Sequence, residues 1–247
     1  MSSVLQVENI NVFYGSIHAV KDVSFHVEQG EVVTLIGANG AGKSTTLKSI
    51  LGMVHPDGGA VRVFGMDYGE NERAIRRELG VVLGGIDFYP KKKIRVITDV
   101  TRRFYDNWDQ GKYDHYAELF AIDPDKRVDQ LSSGMKVKYM IALALSHNAR
   151  LLLLDEPTSG LDPVSRDELT ELLGRIVADG TRSVLFSTHI TSDLEKCASH
   201  IAFIKDGRMQ YTGALEDFRA HYRDVGTTLE DVIVHVERRP LDENAII

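Results

Sequence analysis

The spacing of apolar residues divides the predicted strands into two kinds. Residues 4–14 and 60–68 alternate apolar and polar positions, which predicts antiparallel strands with one exposed face. Residues 32–36, 151–154 and 184–186 are short continuous apolar runs, which are typical of parallel strands buried on both faces. The pattern therefore predicts a buried parallel sheet together with a smaller antiparallel one.

Helical spacing is clearest in residues 164–179. Asp162 precedes this segment as a candidate N-cap, Pro163 suits the first turn, and Gly180 suits the end. The apolar residues that recur with the helical period are Val164, Leu169, Leu172, Leu173, Ile176 and Val177.

Two further regions differ from this pattern. Residues 86–149 contain a cluster of aromatic residues and no buried-strand run, so we expect a mostly helical insertion between two strands of the core. The last forty residues predict another strand pair, a short helix near residues 215–222, and then a polar tail.

A glycine-rich segment follows the apolar run at residues 32–36. Residues 37–44 read Gly-Ala-Asn-Gly-Ala-Gly-Lys-Ser and fit G-x-x-x-x-G-K-[ST], the phosphate-binding P-loop. The glycines allow a tight loop whose N–H groups point at phosphate oxygens. Lys43 is positioned to neutralise the β- and γ-phosphates, and Ser44 to hold Mg²⁺. The candidate nucleotide-binding residues in this segment are Gly37, Asn39, Gly40, Ala41, Gly42, Lys43 and Ser44.

Two carboxylates follow the four leucines at residues 151–154. Ligands of open parallel sheets bind outside the carboxyl ends of the strands, which is where Asp155 and Glu156 are expected to lie. Asp155 would approach the Mg²⁺ held by Ser44, and Glu156 would deprotonate the water that attacks the γ-phosphate. Two solvated acids at a strand end are the alternative, which the upstream P-loop disfavours.

Residues 131–135 begin another helical pattern. Ser132 is an expected N-cap there. Two serines and a glycine at a helix start also suit an anion site, although nothing in the segment says which anion. Judged on this segment alone, capping is the better interpretation.

Composition narrows the class of protein. The chain has 247 residues, 43% apolar and 26% charged, with a net charge of −7, so we expect a soluble globular protein that does not bind nucleic acid. No stretch approaches the roughly 18 apolar residues of a membrane span, so a role at a membrane would require a partner. The single cysteine, Cys197, and the absence of a leader-like N-terminus indicate a reducing cytosol.

Five ordered motifs together resemble a known family. They are the P-loop, residues 131–135, residues 151–157, residues 159–162 and residues 187–189, and this order resembles the ATP-binding cassette of ABC transporters. The resemblance covers about residues 4–210 and is strongest to single-cassette ATPase subunits of bacterial exporters, whose permease is a separate chain.

The resemblance implies an α/β fold with a P-loop core of mainly parallel sheet, an antiparallel β subdomain and a helical subdomain. Residues 1–247 would form one ABC ATPase domain. Its core and antiparallel subdomain would comprise residues 1–85 and 150–210, its helical subdomain residues 86–149, and a C-terminal extension residues 211–247.

Several site residues are implied by their positions in the family's motifs. Tyr14 matches the aromatic residue that stacks on adenine, although an edge-strand tyrosine is the alternative. Lys43, Ser44 and Thr45 match the ligands of phosphate and Mg²⁺. His189 matches the switch histidine that contacts the γ-phosphate.

Other residues match a surface shared by two subunits. In the family, the residues corresponding to Ser132 and Gly134 reach the γ-phosphate bound to the other subunit. Asp162 matches an acid that links the two sites, and it also remains a good helix cap. The resemblance therefore implies a head-to-tail dimer, of identical or different cassettes, with two ATP molecules at the interface.

The chain departs from the family at two places. Ser133 and Met135 stand where the signature segment usually has glycine and glutamine. Gly84 and Gly85 occupy the place of a glutamine that touches Mg²⁺, which removes that contact and predicts a more flexible joint. Asp87 is a candidate substitute acting through a water.

We therefore expect the ATP-hydrolysing subunit of an ABC transporter, driving a separate permease from the cytoplasmic face of the membrane, with ATP and Mg²⁺ as cofactors. Export rests on resemblance alone, and the cargo is undetermined. Two alternatives stay open: a soluble ABC ATPase without a transport role, and a nucleotide-dependent regulator that hydrolyses ATP poorly.

Overall fold

A computed structural model of the chain describes residues 3–83, 89–226 and 228–237. It contains two sheets and helices, and the α/β fold class expected from the sequence is confirmed. In chain order the strands are β1 Ser3–Tyr14, β2 Ile17–Glu28, β3 Val32–Ile36, β4 Gly58–Val63, β5 Met66–Asp67, β6 Leu79–Val82, β7 Leu151–Asp155, β8 Ser183–Thr188, β9 His200–Lys205 and β10 Arg208–Ala214. The helices are α1 Lys43–Ile50, α2 Tyr68–Glu78, α3 Ile94–Thr101, α4 Gln110–Leu119, α5 Ser133–Ser146, α6 Pro163–Val177, α7 Thr191–Cys197, α8 Leu215–His221 and α9 Leu229–Glu237.

The larger sheet has the strand order β10-β9-β3-β8-β7-β6. Strands β9, β3, β8, β7 and β6 pair in parallel, and β10 joins the edge in antiparallel orientation. Every residue of β3 is buried, as are the four leucines of β7, which confirms the prediction from the continuous apolar runs. The parallel strands end on one side, so the segments that follow β3, β7 and β8 lie next to one another.

The smaller sheet is antiparallel, in the order β2-β1-β4-β5. A hairpin joins β1 to β2, with Tyr14 opposite Ile17 and Gly15 in the left-handed conformation at φ 61°. Residues 4–14 lie in β1 of this sheet, as predicted. The predicted strand at residues 60–68 is divided between β4 and β5 by a turn at Phe64 and Gly65, both with positive φ, and its last residue, Tyr68, begins α2. Strand β2, for which no prediction was made, alternates in the same way.

The described part of the insertion, residues 89–149, is helical, as the sequence indicated. Helix α5 lies close against β6, where a Cβ added to Gly80 would stand 2.6 Å from the Cβ of Ala144. Only glycine leaves room for a helix at this separation. The C-terminal end of α5 is thereby held close to the main sheet.

The prediction of a polar tail after residue 222 is wrong. Residues Leu229–Glu237 form α9, which buries Leu229, Val232 and Ile233 against a cluster that includes Ile36 and Leu194. Five of the nine residues of α9 are apolar, and Leu229, Val232, Ile233 and Val236 recur at helical spacing on the face that packs against this cluster. At the end of α9, the Glu237 carboxylate accepts a hydrogen bond of 3.1 Å from the Ala38 N–H in the P-loop.

None of the helices within the described ranges is both long and apolar enough to cross a membrane.

His147, a buried residue directly after α5, links this helix to α2. The His147 ring stacks on Tyr105 with centroids 3.8 Å apart, and its Nδ1 donates to the Arg77 carbonyl at 3.2 Å. Burial is the main cause that lowers the pKa of His147, from an ordinary 6.5 to about 4. The ring is therefore neutral in the folded chain at physiological pH.

We predict that the folding stability of the His147→Gln variant falls less steeply than that of the wild type as the pH becomes mildly acidic. Between the unfolded pKa of 6.5 and the folded pKa of about 4, the unfolded chain binds a proton that the folded chain does not. Stability therefore falls as pH drops through this window, by about 3 kcal/mol from this group alone. Urea unfolding at a series of pH values measures the slope. His115→Gln, at an exposed position, is the control, and equal slopes in both variants and the wild type would contradict the prediction.

Candidate nucleotide-binding site

The P-loop connects the buried end of β3 to the start of α1. Gly37 packs so closely against β9 that an added Cβ would stand 2.2 Å from the Ile204 carbonyl oxygen. Gly42, at φ 110°, precedes the first helical residue, and no side chain caps the helix there. The N–H groups at the start of α1 therefore point into the loop, where an anion can accept their hydrogen bonds.

Lys43 is almost fully buried beneath this loop, with 4% of its surface exposed. Its Nζ donates to the carbonyls of Gly37 at 2.7 Å and Ala38 at 3.2 Å, and it lies 3.4 Å from Oε1 of Glu156. A buried ammonium needs such partners to offset its lost hydration. In this arrangement the lysine bonds to the protein's own oxygens at the place where phosphate oxygens are expected.

Asp155 lies beside the P-loop because of strand register. Its β7 position pairs with Ser187 of β8, and the Ser187 hydroxyl donates to Oδ1 of Asp155 at 2.6 Å. The Ser44 hydroxyl donates to the same oxygen at 3.1 Å. The structure thus brings together Ser44 and Asp155, the two residues that the sequence assigned to Mg²⁺.

Glu156 leaves β7 in an unusual backbone conformation. Its φ is 46°, in the left-handed region that costs a non-glycine residue free energy, and its N–H donates to the Ser187 hydroxyl at 2.9 Å. This turn places the carboxylate between Lys43 and His189, with Oε2 at 3.3 Å from Nδ1 of His189. The predicted base, the P-loop lysine and the switch histidine therefore converge.

A cavity of about 170 Å³ opens above the loop. Tyr14 lies outside this lining, at the end of β1, with 46% of its surface exposed, and its assignment to adenine stays a prediction. The cavity is lined by Ala19, Asn39, Gly40, Gly42, Lys43, Ser44, Thr45 and Glu156.

Ser132, Gly134 and Asp162 form a second group, which does not line that cavity. Ser132 caps α5 by accepting a hydrogen bond of 3.2 Å from the Met135 N–H, and Gly134 packs against Ser165 of α6. Asp162 caps α6 by accepting from the N–H groups of Val164 and Ser165. Both predicted capping roles are confirmed, whereas the anion-binding and cross-subunit roles stay predictions.

Hydrogen bonds from Ser165, its hydroxyl first and then its N–H, lower the pKa of Asp162. This carboxyl is therefore ionised at neutral pH and available to a cation or a hydrogen-bond donor.

The departures from the signature pattern have specific surroundings. The Ser133 side chain is exposed on the first turn of α5, and Met135 packs partly buried against a cluster of buried residues that includes Tyr139 and Leu169. Met135 thus contributes to the core of the insertion. Gly84, Gly85 and Asp87 lie outside the described residues.

No sequence pattern points to Asp193, a buried acid at the start of α7. Its Oδ2 accepts from the hydroxyls of Thr158 at 2.6 Å and Thr188 at 3.3 Å, and the Arg166 Nε lies 4.0 Å from Oδ1. Thr158 follows Glu156 along the chain, and Thr188 precedes His189. Asp193 therefore hydrogen-bonds to both loops, the one that carries the predicted base Glu156 and the one that carries the predicted switch residue His189.

Comparison with known proteins agrees with the geometry. Residues 20–159 match the family described as ABC transporter. Bacitracin transport ATP-binding protein BcrA of Bacillus licheniformis is 30% identical over 211 residues, which cover 85% of this chain and 69% of that protein. Nod factor export ATP-binding protein I of Burkholderia orbicola is 34% identical over 215 residues, covering 85% and 70%.

Solved structures give the same result for the fold. The ATP-binding subunit of an ABC transporter superposes with a TM-score of 0.85 and 28% identity, covering 95% of this chain and 100% of that one. A dimeric ATP-binding cassette in a post-hydrolysis state with ADP and Pi superposes with a TM-score of 0.74 at 23% identity, covering 85% and 98%.

We predict that Asp193→Ala destabilises the fold by about 2–4 kcal/mol, because it leaves two buried hydroxyls without their acceptor and the Arg166 guanidinium without the carboxylate 4.0 Å away. Asp167→Ala is the matched control, since Asp167 forms an exposed ion pair with Lys196. Its expected cost is below about 1 kcal/mol. Urea unfolding of both variants is the measurement, and equal losses would contradict the structural role assigned to Asp193.

Proposed function

Because the chain belongs to the ABC transporter family, as an ATP-binding and ATP-hydrolysing subunit, we propose that it powers an exporter by hydrolysing ATP between two cassettes. The main support for this proposal is that three side chains lie close together at the P-loop. The Glu156 carboxylate lies 3.4 Å from Nζ of Lys43 and 3.3 Å from Nδ1 of His189.

Nucleotide binding begins with an exchange of partners at Lys43. The lysine now bonds to two loop carbonyls and to Glu156, and the phosphates of ATP offer it stronger, charged acceptors. Backbone N–H groups at the start of α1 bind the remaining phosphate oxygens. Tyr14 is assigned to stack on adenine, a contact worth about 1–3 kcal/mol for comparable bases.

The residues present suit Mg²⁺ bound together with ATP. The donors are a hydroxyl and a carboxylate whose oxygens lie 3.1 Å apart, on Ser44 and Asp155. Mg²⁺ is usually bound by one or two protein oxygens plus substrate phosphates and water, so a larger cluster of protein ligands is not required. When bound, the ion neutralises charge that develops on the β- and γ-phosphates.

Hydrolysis follows from the position of Glu156. Its carboxylate, released from Lys43, accepts a proton from water as the water oxygen attacks the γ-phosphorus. The bond from that phosphorus to the bridging oxygen breaks, and ADP leaves with the negative charge that Lys43 neutralises. His189, beside Glu156, donates a hydrogen bond to the γ-phosphate and senses its presence.

Two separate groups on one chain support a dimer. The cavity residues form one group, and Ser132, Gly134 and Asp162 form another that does not line the cavity. In a head-to-tail pair, the second group of one cassette meets the γ-phosphate held by the first group of the other. Loss of the γ-phosphate then removes contacts that exist only in the closed pair, and the pair reopens.

Export through a separate permease is inferred from relatives. One is named for Nod factor export and another for bacitracin transport. We assign residues 86–149 to the helical subdomain that meets the permease, and we place the chain on the cytoplasmic face of the membrane through that contact. The cargo is chosen by the permease and is not assigned.

We predict that Lys43→Ala weakens ATP binding by about 10- to 100-fold, the effect of losing charge-assisted hydrogen bonds to phosphate. Calorimetric titration with ATP in Mg²⁺ measures the affinity. Lys48→Ala removes an exposed lysine from the same helix and is expected to bind as the wild type does. Unchanged affinity in Lys43→Ala would contradict the role given to the P-loop.

We predict that Glu156→Gln lowers turnover by about 100-fold or more, the scale of a lost general base, while ATP affinity is kept. Affinity is kept because glutamine removes the carboxylate that competes with phosphate for Lys43. Steady-state phosphate release and equilibrium ATP binding are the two measurements, with Glu171→Gln on α6 as an exposed control. Near-normal turnover would assign the base to another residue.

The same variant tests the transport partnership. Glu156→Gln with ATP and Mg²⁺ is expected to hold the closed pair longest, so it is the form to purify from detergent-solubilised source membranes. Mass spectrometry should then identify a multi-span protein retained with the cassette. Retention of proteins without membrane spans only would favour an ABC ATPase without a transport role.

A further inference from the structure

The side chain of Ser187 is fully buried at the carboxyl end of β8. Parallel pairing sets it opposite Asp155 on one side and opposite Leu35 of β3 on the other. It therefore stands between the strand that leads into the P-loop and the strand that carries the two acids. It precedes His189 by two residues.

That hydroxyl makes two hydrogen bonds at once. It donates to Oδ1 of Asp155 at 2.6 Å and accepts from the N–H of Glu156 at 2.9 Å. The acceptor oxygen on Asp155 is also the one that the Ser44 hydroxyl reaches at 3.1 Å. One buried oxygen thus links the side chain of the first acid to the backbone of the second.

We infer that Ser187 is a positioning residue for both acids. Its donated bond fixes the rotation of the Asp155 carboxylate so that Oδ1 faces Ser44, and its accepted bond holds the left-handed turn at Glu156. The inference rests on the proposed function, in which Asp155 serves Mg²⁺ and Glu156 serves the attacking water. In this proposal Ser187 itself contacts neither the Mg²⁺ nor the attacking water.

The geometry explains why a hydroxyl is needed at this position. A strand neighbour without a side-chain donor leaves the Asp155 carboxylate free to rotate away from Ser44. A neighbour without an acceptor leaves the Glu156 N–H buried and unbonded, which disfavours the φ of 46° that points the carboxylate at Lys43 and His189. Serine supplies both bonds in the volume available.

The same strand offers a matched control. Ser183, at the opposite end of β8, is also fully buried, and its hydroxyl accepts from the Gly30 N–H at 3.0 Å and donates to the Glu28 carbonyl at 3.1 Å. Ser183→Ala therefore removes a buried hydroxyl with the same two kinds of bond, away from the P-loop. A purely structural effect of deleting a serine appears equally in both variants.

The experiment compares Ser187→Ala, Ser183→Ala and Ser187→Thr. For Ser187→Ala we expect the Mg²⁺ concentration for half-maximal turnover to rise about tenfold and kcat to fall about tenfold or more, as small misplacements of catalytic groups do. ATP affinity in EDTA, measured by calorimetry, should change less than about twofold, because the P-loop contacts remain.

Ser183→Ala should leave all three quantities unchanged, and thermal unfolding shows how far each variant is destabilised.

Ser187→Thr keeps the hydroxyl and should stay closer to the wild type in Mg²⁺ requirement than Ser187→Ala, even if its extra methyl group lowers thermal stability. If Ser187→Ala does not fold while Ser183→Ala does, Ser187→Thr decides alone: a wild-type Mg²⁺ requirement supports the inference, and a raised one overturns it.

An unchanged Mg²⁺ requirement and kcat in Ser187→Ala would overturn the inference, as would equal changes in Ser183→Ala. Failure of the proposed function is a different result, because the wild type itself would then show no Mg²⁺-dependent turnover.

Discussion

The parallel register of three strands is the constraint on which the site depends. Strands β3, β8 and β7 end side by side, which brings the P-loop, the segment before His189 and the two acids to one edge. Their hydrogen bonds fix the relative height of the strand ends to within a residue, since a slip by one position would turn each side chain to the opposite face. The positions of Asp155 and Glu156, and with them the chemistry assigned to these residues, are therefore determined by how the strands pair.

The charged side chains of the site are paired with one another. Lys43 is buried, and an ammonium in that position requires acceptors, which the loop carbonyls and Glu156 provide. Glu156 in turn lies within reach of His189. The residues assigned to the phosphates are thus held in place by contacts with one another, and this preorganisation limits the conformational entropy lost when ATP binds.

Features that depend on local spacing could be predicted from the sequence. The buried strands at residues 32–36 and 151–154, the helix after Asp162 and the P-loop all follow from periodicity and glycine chemistry. Features that depend on distant partners could not. Asp193 meets Thr158 across 35 positions, and the role of Ser187 appears only once β7 and β8 are paired. The apolar residues of α9 recur with a helical period and so indicate a helix, whereas the surface that they pack against follows only from the fold.

The contact between Gly80 and Ala144 has a consequence for building hybrid cassettes. The insertion carries Ser132 at the start of α5, and this helix rests on β6 at a spacing that a single methyl group would obstruct. A grafted insertion whose α5 has a larger residue at position 144 would tilt and displace that serine, even with every sequence motif intact. Segments exchanged between relatives should therefore include β6 and α5 together, as one interlocking unit.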